Sequence, residues 1–569
     1  MAPQETPLKI RFVTEGPQKQ SLREKELDVS ERKAHSARIA HERARAKRDR
    51  EAASKKALNA DSEPSTSTAQ PAPKRKGIKH VKQRHGTRNV FFDKPVVKKV
   101  SVEHSVRPPS PKLPPPIKGD SDPFGVLAIP VTPQVKQVLQ FMKDGVYPGL
   151  YFNSFFKRMY GDIKVKDLET STWLPAQTAL AGWKYALASL QDEGIALACV
   201  GGYLHNMSML MLDSSKSKAT NLGLSMMTKS SVLLRRSLHK SMQKNSSMGT
   251  TLINHVYWLF RAAIFSGDEE SIIAHGRMLN LCLMKGLVEG TADIQMLIQS
   301  GVDDVDICSR LMRRPFIHPD AYAATCAGLW ALAEANLPKM TIEINMELHS
   351  NVQCPEVQQA FLICRSLAGY AEQQITDEEW GSPTQKQLSF AWFVTKSDWG
   401  MRQALSASLD LRDDKYSSQV WSEGVRLTQA SLGLAVLYYG RLLGHDAVIN
   451  GVDIRDISAT IMAHLQVIMT QVLAKCSDEE LEAYVDAHTW ILFVGAFIEQ
   501  RNKKKNSGRS QVRWFQHRLA EHAVRHKRES WLLEKSTFES FHYFDFIEPN
   551  GAQWYEEVIA ELAPPKAQD

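Results

Sequence analysis

The chain has 569 residues, of which 43% are apolar and 24% charged. This composition is typical of a soluble protein, and the length is too great for a single hydrophobic core. Residues 1–118 hold 28 of the 71 Lys and Arg residues and 13 of the 63 Asp and Glu residues, a net charge of +15, whereas the remainder carries −7. Such a division indicates a polyanionic partner for the basic part.

Neither a membrane nor a secreted location is expected. The longest apolar stretch, residues 490–498, is far shorter than the roughly 18 residues of a spanning helix. The opening residues lack the apolar run of a secretory signal peptide. The seven cysteines begin at Cys199 and form no CxxC pair, which favours an intracellular protein whose thiols serve as small apolar core groups.

Residues 1–119 are predicted to be a disordered basic region. Long apolar side chains are sparse there, and residues 61–73 are rich in Ser, Thr and Pro. Such a segment buries too little apolar area to offset the loss of chain entropy. A Pro-rich tract near 107–116 predicts an extended linker.

Residues 21–58 form a local exception, because they contain good helix formers and neither Pro nor Gly. No face of this helix would be apolar, so we expect it to be only partly formed. It is either a solvated charged helix, as in some coiled coils, or a basic arm that becomes ordered on a phosphate backbone. Its candidate contacts are Arg43, Arg45, Lys47, Arg48 and Arg50.

A second basic cluster lies between prolines and glycines, so its cations are expected to be exposed. Several cations on an extended segment suit a nuclear import receptor or a phosphate backbone. The candidate residues are Lys74, Arg75, Lys76, Lys79, Lys82 and Arg84. Ser110 and Thr132 each precede a proline, which makes them candidates for proline-directed phosphorylation, although ordinary linker prolines are the favoured explanation.

From residue 120 to 565 apolar residues recur at helical spacing and long alternating runs are missing, which predicts an irregular all-α multi-helix body. Helices are expected over 323–332, 425–443, 457–473 and 484–498, and around 252–263 and 272–283. No repeat of fixed period supports a solenoid. Expected helix breaks lie at Gly267, Gly286, Gly301, Pro315, Pro319, Pro338, Pro383, Gly444 and Gly508.

The sequence offers no catalytic, cofactor or metal motif. Gly201-Gly202 lacks the remainder of a nucleotide-binding loop and is better explained as a helix-packing site. His522 and His526 share a helix face, but Ala523 stands where a zinc protease needs Glu, so a basic amphipathic helix is favoured. The acidic cluster of Asp303, Asp304 and Asp306 is expected near a helix N-terminus.

Aromatic residues are frequent near the C-terminus. They could form a base-stacking platform, but few cations are interleaved with them, so a hydrophobic core is favoured. The residues concerned are Trp514, Phe515, Trp531, Phe538, Phe541, Tyr543, Phe544, Phe546, Trp554 and Tyr555.

The order of several short elements resembles the fungal-specific transcription factor domain family. They are Phe12-Val13 with Gly16-Pro17, Asp122-Pro123-Phe124, Ile129-Pro130, residues 265–268 leading to His275 and Gly286, Asp306 with Arg314-Pro315-Phe316, residues 490–496, Trp514-Phe515 and Trp531. The resemblance implies a helical regulatory body over 120–565. This sequence departs from the family in one respect. The Cys-rich zinc cluster that reads DNA in such proteins is missing, since the first cysteine is Cys199.

We therefore expect a nuclear transcription regulator or co-regulator that is not an enzyme and uses no cofactor. Its basic region would serve import and weakly specific DNA contact, because cations on phosphates carry no sequence information. Its body would bind other transcription proteins, a second copy of itself or a small effector. The alternatives are a helical interaction scaffold without DNA contact and an enzyme with an all-α pocket that the sequence does not reveal.

Overall fold

The structure is a computed structural model that describes residues 127–147, 174–209, 213–243, 249–292, 294–338, 345–373, 382–413, 421–444, 448–449, 452–453, 458–505, 513–547 and 550–562. The predictions of a disordered region over 1–119, of a partial helix near 21–58 and of a linker near 107–116 all lie outside these residues.

The described residues of the first part of the body contain eight α-helices. The first helix, α1, continues directly into a π-helical turn, Met142–Val146. The others are connected by short turns where the connection is described. Their bounds are α1 Pro133–Phe141, α2 Leu174–Ser189, α3 Glu193–Ser208, α4 Asp213–Gln243, α5 Thr250–Ser266, α6 Glu269–Glu289, α7 Ile294–Leu311 and α8 Pro319–Glu334.

The second part continues in the same way. The described residues contain one small β element, in which Val448–Ile449 pairs antiparallel with Val452–Asp453. The all-α prediction is confirmed for the body. The remaining helices are α9 Pro355–Glu372, α10 Pro383–Arg412, α11 Glu423–Gly444, α12 Ser458–Lys475, α13 Asp478–Ala483, α14 Val485–Lys505, α15 Trp514–Arg525, α16 Trp531–Phe541 and α17 Gly551–Leu562.

Helix boundaries follow local chemistry in most places. Gly267 ends α5 in the left-handed conformation, with φ of 69°, and Asp268 then caps α6 by accepting the Ser271 N–H at 3.2 Å. Ser382 caps α10 in a capping box with Gln385. These glycine and cap residues are the local signals from which helix boundaries are predicted in the sequence.

Two expected breaks were wrong. Gly286 and Gly301 lie inside α6 and α7 and do not end them. A Cβ atom at Gly301 would lie 2.6 Å from Asp398 Oδ2, and one at Gly286 would meet the Ile253 side chain. Both glycines therefore allow close packing between helices, a role that a single sequence does not distinguish from a helix end.

Helix α11 lies at the centre of the body. It packs against α9, α10, α12 and α14, and residues 424–441 are all buried. The predicted C-terminal aromatic core is confirmed: Phe493 of α14 stacks on Phe538 and on Trp554, with ring centroids 4.4 and 5.1 Å apart. Among the described helices, none combines the length and apolar character needed to span a bilayer.

Candidate functional site

The cations predicted to serve import and nucleic-acid contact, and Ser110, lie outside the described residues. Thr132 is described and is the N-cap of α1, where its Oγ1 accepts the Val135 N–H at 3.3 Å. Its hydroxyl therefore has a structural role in starting the helix.

The cysteines are core residues, as predicted. Six of the seven are buried and Cys476 is half-buried. Burial raises the pKa of Cys282 to about 11 and that of Cys364 to about 12, so these thiols stay protonated and weakly nucleophilic at neutral pH. In the part of the chain that the structure describes, no group of three His, Cys, Asp or Glu side chains could hold a metal ion.

The acidic cluster does not lie at a helix N-terminus, so that prediction was wrong. Asp303, Asp304 and Asp306 occupy the second half of α7 and are buried. Two of these carboxylates pair with buried arginines contributed by other helices, as described next. The pairing partners are distant in sequence, which is why the local pattern gave the wrong interpretation.

The first of these arginines is Arg402 of α10, whose side chain is completely buried. Its Nη1 atom donates to Asp304 Oδ2 at 2.6 Å, and its Nε lies 3.4 Å from Asp398 Oδ2. Nη1 and Nη2 also donate to the carbonyl oxygens of Ile317 at 2.8 Å and Gly301 at 2.6 Å. This arginine thereby joins α7, α10 and the segment before α8.

The second is Arg261 of α5. Its Nε lies 3.4 Å from Asp303 Oδ2, and Tyr257 donates its hydroxyl to the same oxygen at 3.0 Å. The guanidinium group also lies within 5.6 Å of the ring centroids of three aromatic residues, Tyr203, Trp258 and Phe265. Buried cations held by carboxylates and aromatic rings in this way serve packing between helices and are poorly placed for chemistry.

The predicted pair of histidines is brought together on an amphipathic helix, as expected from the sequence. His522 lies in α15 and His526 directly follows the last residue of that helix, and the two ring centroids are 4.4 Å apart. His522 Nε2 lies 2.9 Å from Thr489 Oγ1, whose own proton is donated to the Val485 carbonyl. The imidazole is therefore the donor in this contact, and it joins α15 to α14.

His488 of α14 repeats the arrangement. Its Nε2 lies 3.0 Å from Thr428 Oγ1, and that hydroxyl donates to the Gly424 carbonyl. Burial and the nearby His526 lower the pKa of His488 to about 4, and burial with the same neighbour lowers that of His522 to about 3. Both imidazoles are neutral at pH 7 and act as hydrogen-bond donors between helices.

Among the described residues, helix α4 carries a group of exposed cations that takes no part in the contacts above. This helix contains a single acidic residue, Asp213, and all of its basic side chains are exposed. Among the described residues, no carboxylate forms an ion pair with Lys229, Arg235, Arg236 or Lys240. Helical spacing places Lys229, Arg236 and Lys240 on one face.

Two apolar residues lie on the same face. Leu222 is 38% exposed and Val232 is 40% exposed. We call the five residues Leu222, Lys229, Val232, Arg236 and Lys240 the α4 stripe. The stripe extends for about 27 Å along the helix, at 1.5 Å per residue.

Close contacts with the body fix which face of α4 points outward. At the crossing of α3 and α4, a Cβ at Gly201 would lie 2.9 Å from the Gly223 carbonyl oxygen, and a Cβ at Gly202 would lie 2.8 Å from Ala262 Cα of α5. The prediction of helix packing at Gly201-Gly202 is thus confirmed. Because two backbones touch here, α4 cannot rotate about its axis without a clash.

A polar contact fixes α4 further along its length. Ser230 donates its hydroxyl to the Gly194 carbonyl of α3 at 2.7 Å, and His255 of α5 lies 2.9 Å from the same hydroxyl through Nε2. Since the serine proton is already used, the imidazole is the donor. Burial lowers the pKa of His255, which keeps this imidazole neutral.

The sequence-based search overlooked the α4 stripe, although its signal was present. Residues 216–240 contain six Lys and Arg residues and no Asp or Glu. The net negative charge of the whole body concealed this local excess. Comparisons of the chain with protein-family models, with curated proteins and with solved structures found no match.

Proposed function

We propose that this protein is a nuclear transcription regulator or co-regulator without a zinc DNA-binding module of its own. Residues 1–118 direct import and contact nucleic acid with weak sequence specificity, and the helical body binds partner proteins. The observation that carries the proposal is the separation of charge, +15 against −7, between these two parts of the chain.

Two features of the body support a binding role. Its buried arginines and neutral histidines serve contacts between helices, as shown for Arg402 and His488. The α4 stripe, by contrast, is exposed and rich in cations. A body organised in this way suits recognition of another macromolecule better than turnover of a small substrate.

The test compares the full-length protein with a variant in which Lys74, Arg75 and Lys76 are replaced by alanine. The control carries the same number of alanines at exposed cations of the body, Arg277, Arg525 and Lys527. The variant altered at Lys74, Arg75 and Lys76 is expected to lose nuclear accumulation, and the control is expected to keep it. Equal nuclear fractions for all three proteins would contradict the import role.

Nucleic-acid contact is measured on the same proteins by the fluorescence anisotropy of a labelled DNA duplex over a series of salt concentrations. The affinity should fall steeply with salt, and removing a phosphate contact should reduce the slope of log K against log salt by about 1 for each cation. If the intact protein binds no DNA even at low salt, the scaffold function is correct instead. The exposed cations on the body favour the scaffold function as the second candidate, because they supply a binding surface that does not depend on residues 1–118.

A further inference from the structure

We propose that the α4 stripe is a docking surface for an acidic amphipathic helix of a partner protein. The inference rests on the proposed function, since it identifies the chemistry of the partner that the body binds. It concerns the five stripe residues defined above.

Charge complementarity is the first argument. Lys229, Arg236 and Lys240 lie on one face, separated by 7 and 4 residues, and no described carboxylate pairs with them. Positions 4 and 7 residues apart are also those that share one face of a partner helix. Glu or Asp residues at this spacing would therefore meet all three cations at once.

The two apolar residues of the α4 stripe distinguish an acidic protein helix from a nucleic acid or an anionic lipid surface as the partner. Val232 lies between Lys229 and Arg236, Leu222 lies two turns before Lys229, and both apolar side chains are more than a third exposed. A phosphate backbone offers nothing that would bury these side chains. A lipid surface requires a continuous apolar face, whereas the two apolar residues of the stripe lie ten positions apart with a cation between them.

An acidic amphipathic helix satisfies both requirements, since its carboxylates would pair with the cations while its Leu or Ile side chains cover Leu222 and Val232. A length of about 18 residues would match the span of the stripe. The binding mode is the packing of one helix against another, with a few apolar anchors and charged pairs around them.

The rigidity of α4 supports this assignment. The Gly201–Gly223 crossing and the contact of Ser230 with Gly194 and His255 fix the helix on the body at two places. A surface that is already ordered loses little conformational entropy when the partner binds. The stripe is therefore presented in one orientation.

The experiment uses the full-length protein and a labelled helix-forming peptide of about 18 residues, with Glu on one stripe and Leu beside it. A peptide of the same composition in scrambled order tests whether amphipathic order matters. We expect saturable binding of the amphipathic peptide and at least about ten-fold weaker binding of the scrambled one, because the scrambled peptide cannot place its charges and apolar groups together.

Reversal of charge at Lys229, Arg236 and Lys240 to Glu should weaken peptide binding by about ten-fold or more. The matched control reverses Arg277, Arg525 and Lys527, which changes the net charge equally at other exposed positions. It should alter the affinity by less than about two-fold, because distant exposed charges are screened by salt. Circular dichroism of each variant confirms that the helices are retained.

Substitution of Leu222 and Val232 by alanine separates the acidic helix from other polyanions. We expect about three- to five-fold weaker peptide binding, because apolar contact area is lost. Equal affinity for scrambled and ordered peptides, or stripe-dependent binding of duplex DNA or anionic vesicles in place of the peptide, would overturn the proposal. The variant altered at Lys74, Arg75 and Lys76 should keep its peptide affinity, so failure of the import role and failure of the docking surface are distinguishable.

Discussion

Arg402 of α10 and Arg236 of α4 are the same residue type on two long helices, but their surroundings are opposite. Arg402 is completely buried between Asp304 and Asp398 and donates to two backbone carbonyls. Arg236 is exposed and forms no ion pair with a described residue. The residue type and its position on a long helix therefore do not show whether an arginine serves the packing of the fold or is available to a partner.

The difference between these regions is one of solvation. A buried guanidinium loses its hydration and is tolerated only if carboxylates and carbonyl oxygens replace the water. An exposed guanidinium keeps its water, contributes little to folding and remains free to bind an anion. Changes in the Arg402 region should thus affect stability, whereas changes in the α4 stripe should affect binding.

The largest effect is expected for Arg402→Met. The change leaves Asp304 and Asp398 buried without their cation, which should lower the free energy of unfolding by about 3–5 kcal/mol. The control is Arg314→Met: the exposed Arg314 pairs with Asp410 at the surface, so the loss should be about 1 kcal/mol or less. Urea denaturation of both variants measures the difference. Equal losses would show that burial does not separate the two classes of cation.

The buried histidines are expected to make the folding stability depend on pH. The pKa of His488 is lowered from 6.5 to about 4 by burial and by His526, so the folded protein takes up fewer protons than the unfolded chain. Stability is therefore retained above pH 6.5 and is lost as the pH falls from 6.5 toward 4. At pH 5 this histidine should account for about 2 kcal/mol of the loss.

His488→Gln tests this assignment, because glutamine can still donate to Thr428 but does not titrate. Denaturation midpoints at pH 7.5, 6 and 5 should show a weaker decline for the variant than for the parent protein. His526 is the neighbour that helps to lower the pKa of His488. The pKa of His526 is itself lowered by burial, which Glu482 opposes and which Arg525 and Arg528 reinforce. An unchanged pH dependence would show that other groups control acid unfolding.

A substitution at the close glycine contact between α3 and α4 is expected to have a smaller effect on stability than the changes above. Gly201→Ala places a methyl group 2.9 Å from the Gly223 carbonyl oxygen, and overpacking of this kind costs about 1–3 kcal/mol. Gly328→Ala in α8 is the control, since a Cβ there meets nothing within 4 Å and alanine favours a helix by about 1 kcal/mol. The two variants should shift the melting temperature in opposite directions. A stabilising Gly201→Ala would contradict the close helix crossing.

The smallest effect on folding is expected in the α4 stripe. Arg236→Ala and Lys240→Ala remove exposed side chains without an ion pair among the described residues, so each should change stability by about 0.5 kcal/mol or less. Thermal denaturation measures this. A loss above about 2 kcal/mol would place these cations in the structural class with Arg402.

Several features were predictable because they depend on short-range chemistry. The expected helices over 425–443 and 457–473 agree with α11 and α12 to within two residues at each end. The aromatic core and the inert thiols also followed from composition and spacing. By contrast, Gly286, Gly301 and the acidic cluster were interpreted wrongly, because their roles depend on Ile253, Asp398, Arg261 and Arg402, which lie far away in the sequence.

The amino-acid sequence by itself determined the helical class of the body, the division of charge along the chain and the absence of a local zinc-cluster motif. These properties depend on composition and on spacings of a few residues, which need no knowledge of distant contacts. The tertiary structure decided which arginines lose their water, which glycines permit two backbones to touch, and which face of α4 points to solvent. Each of these is set by the approach of distant segments, because burial and ion pairing are properties of neighbours in space.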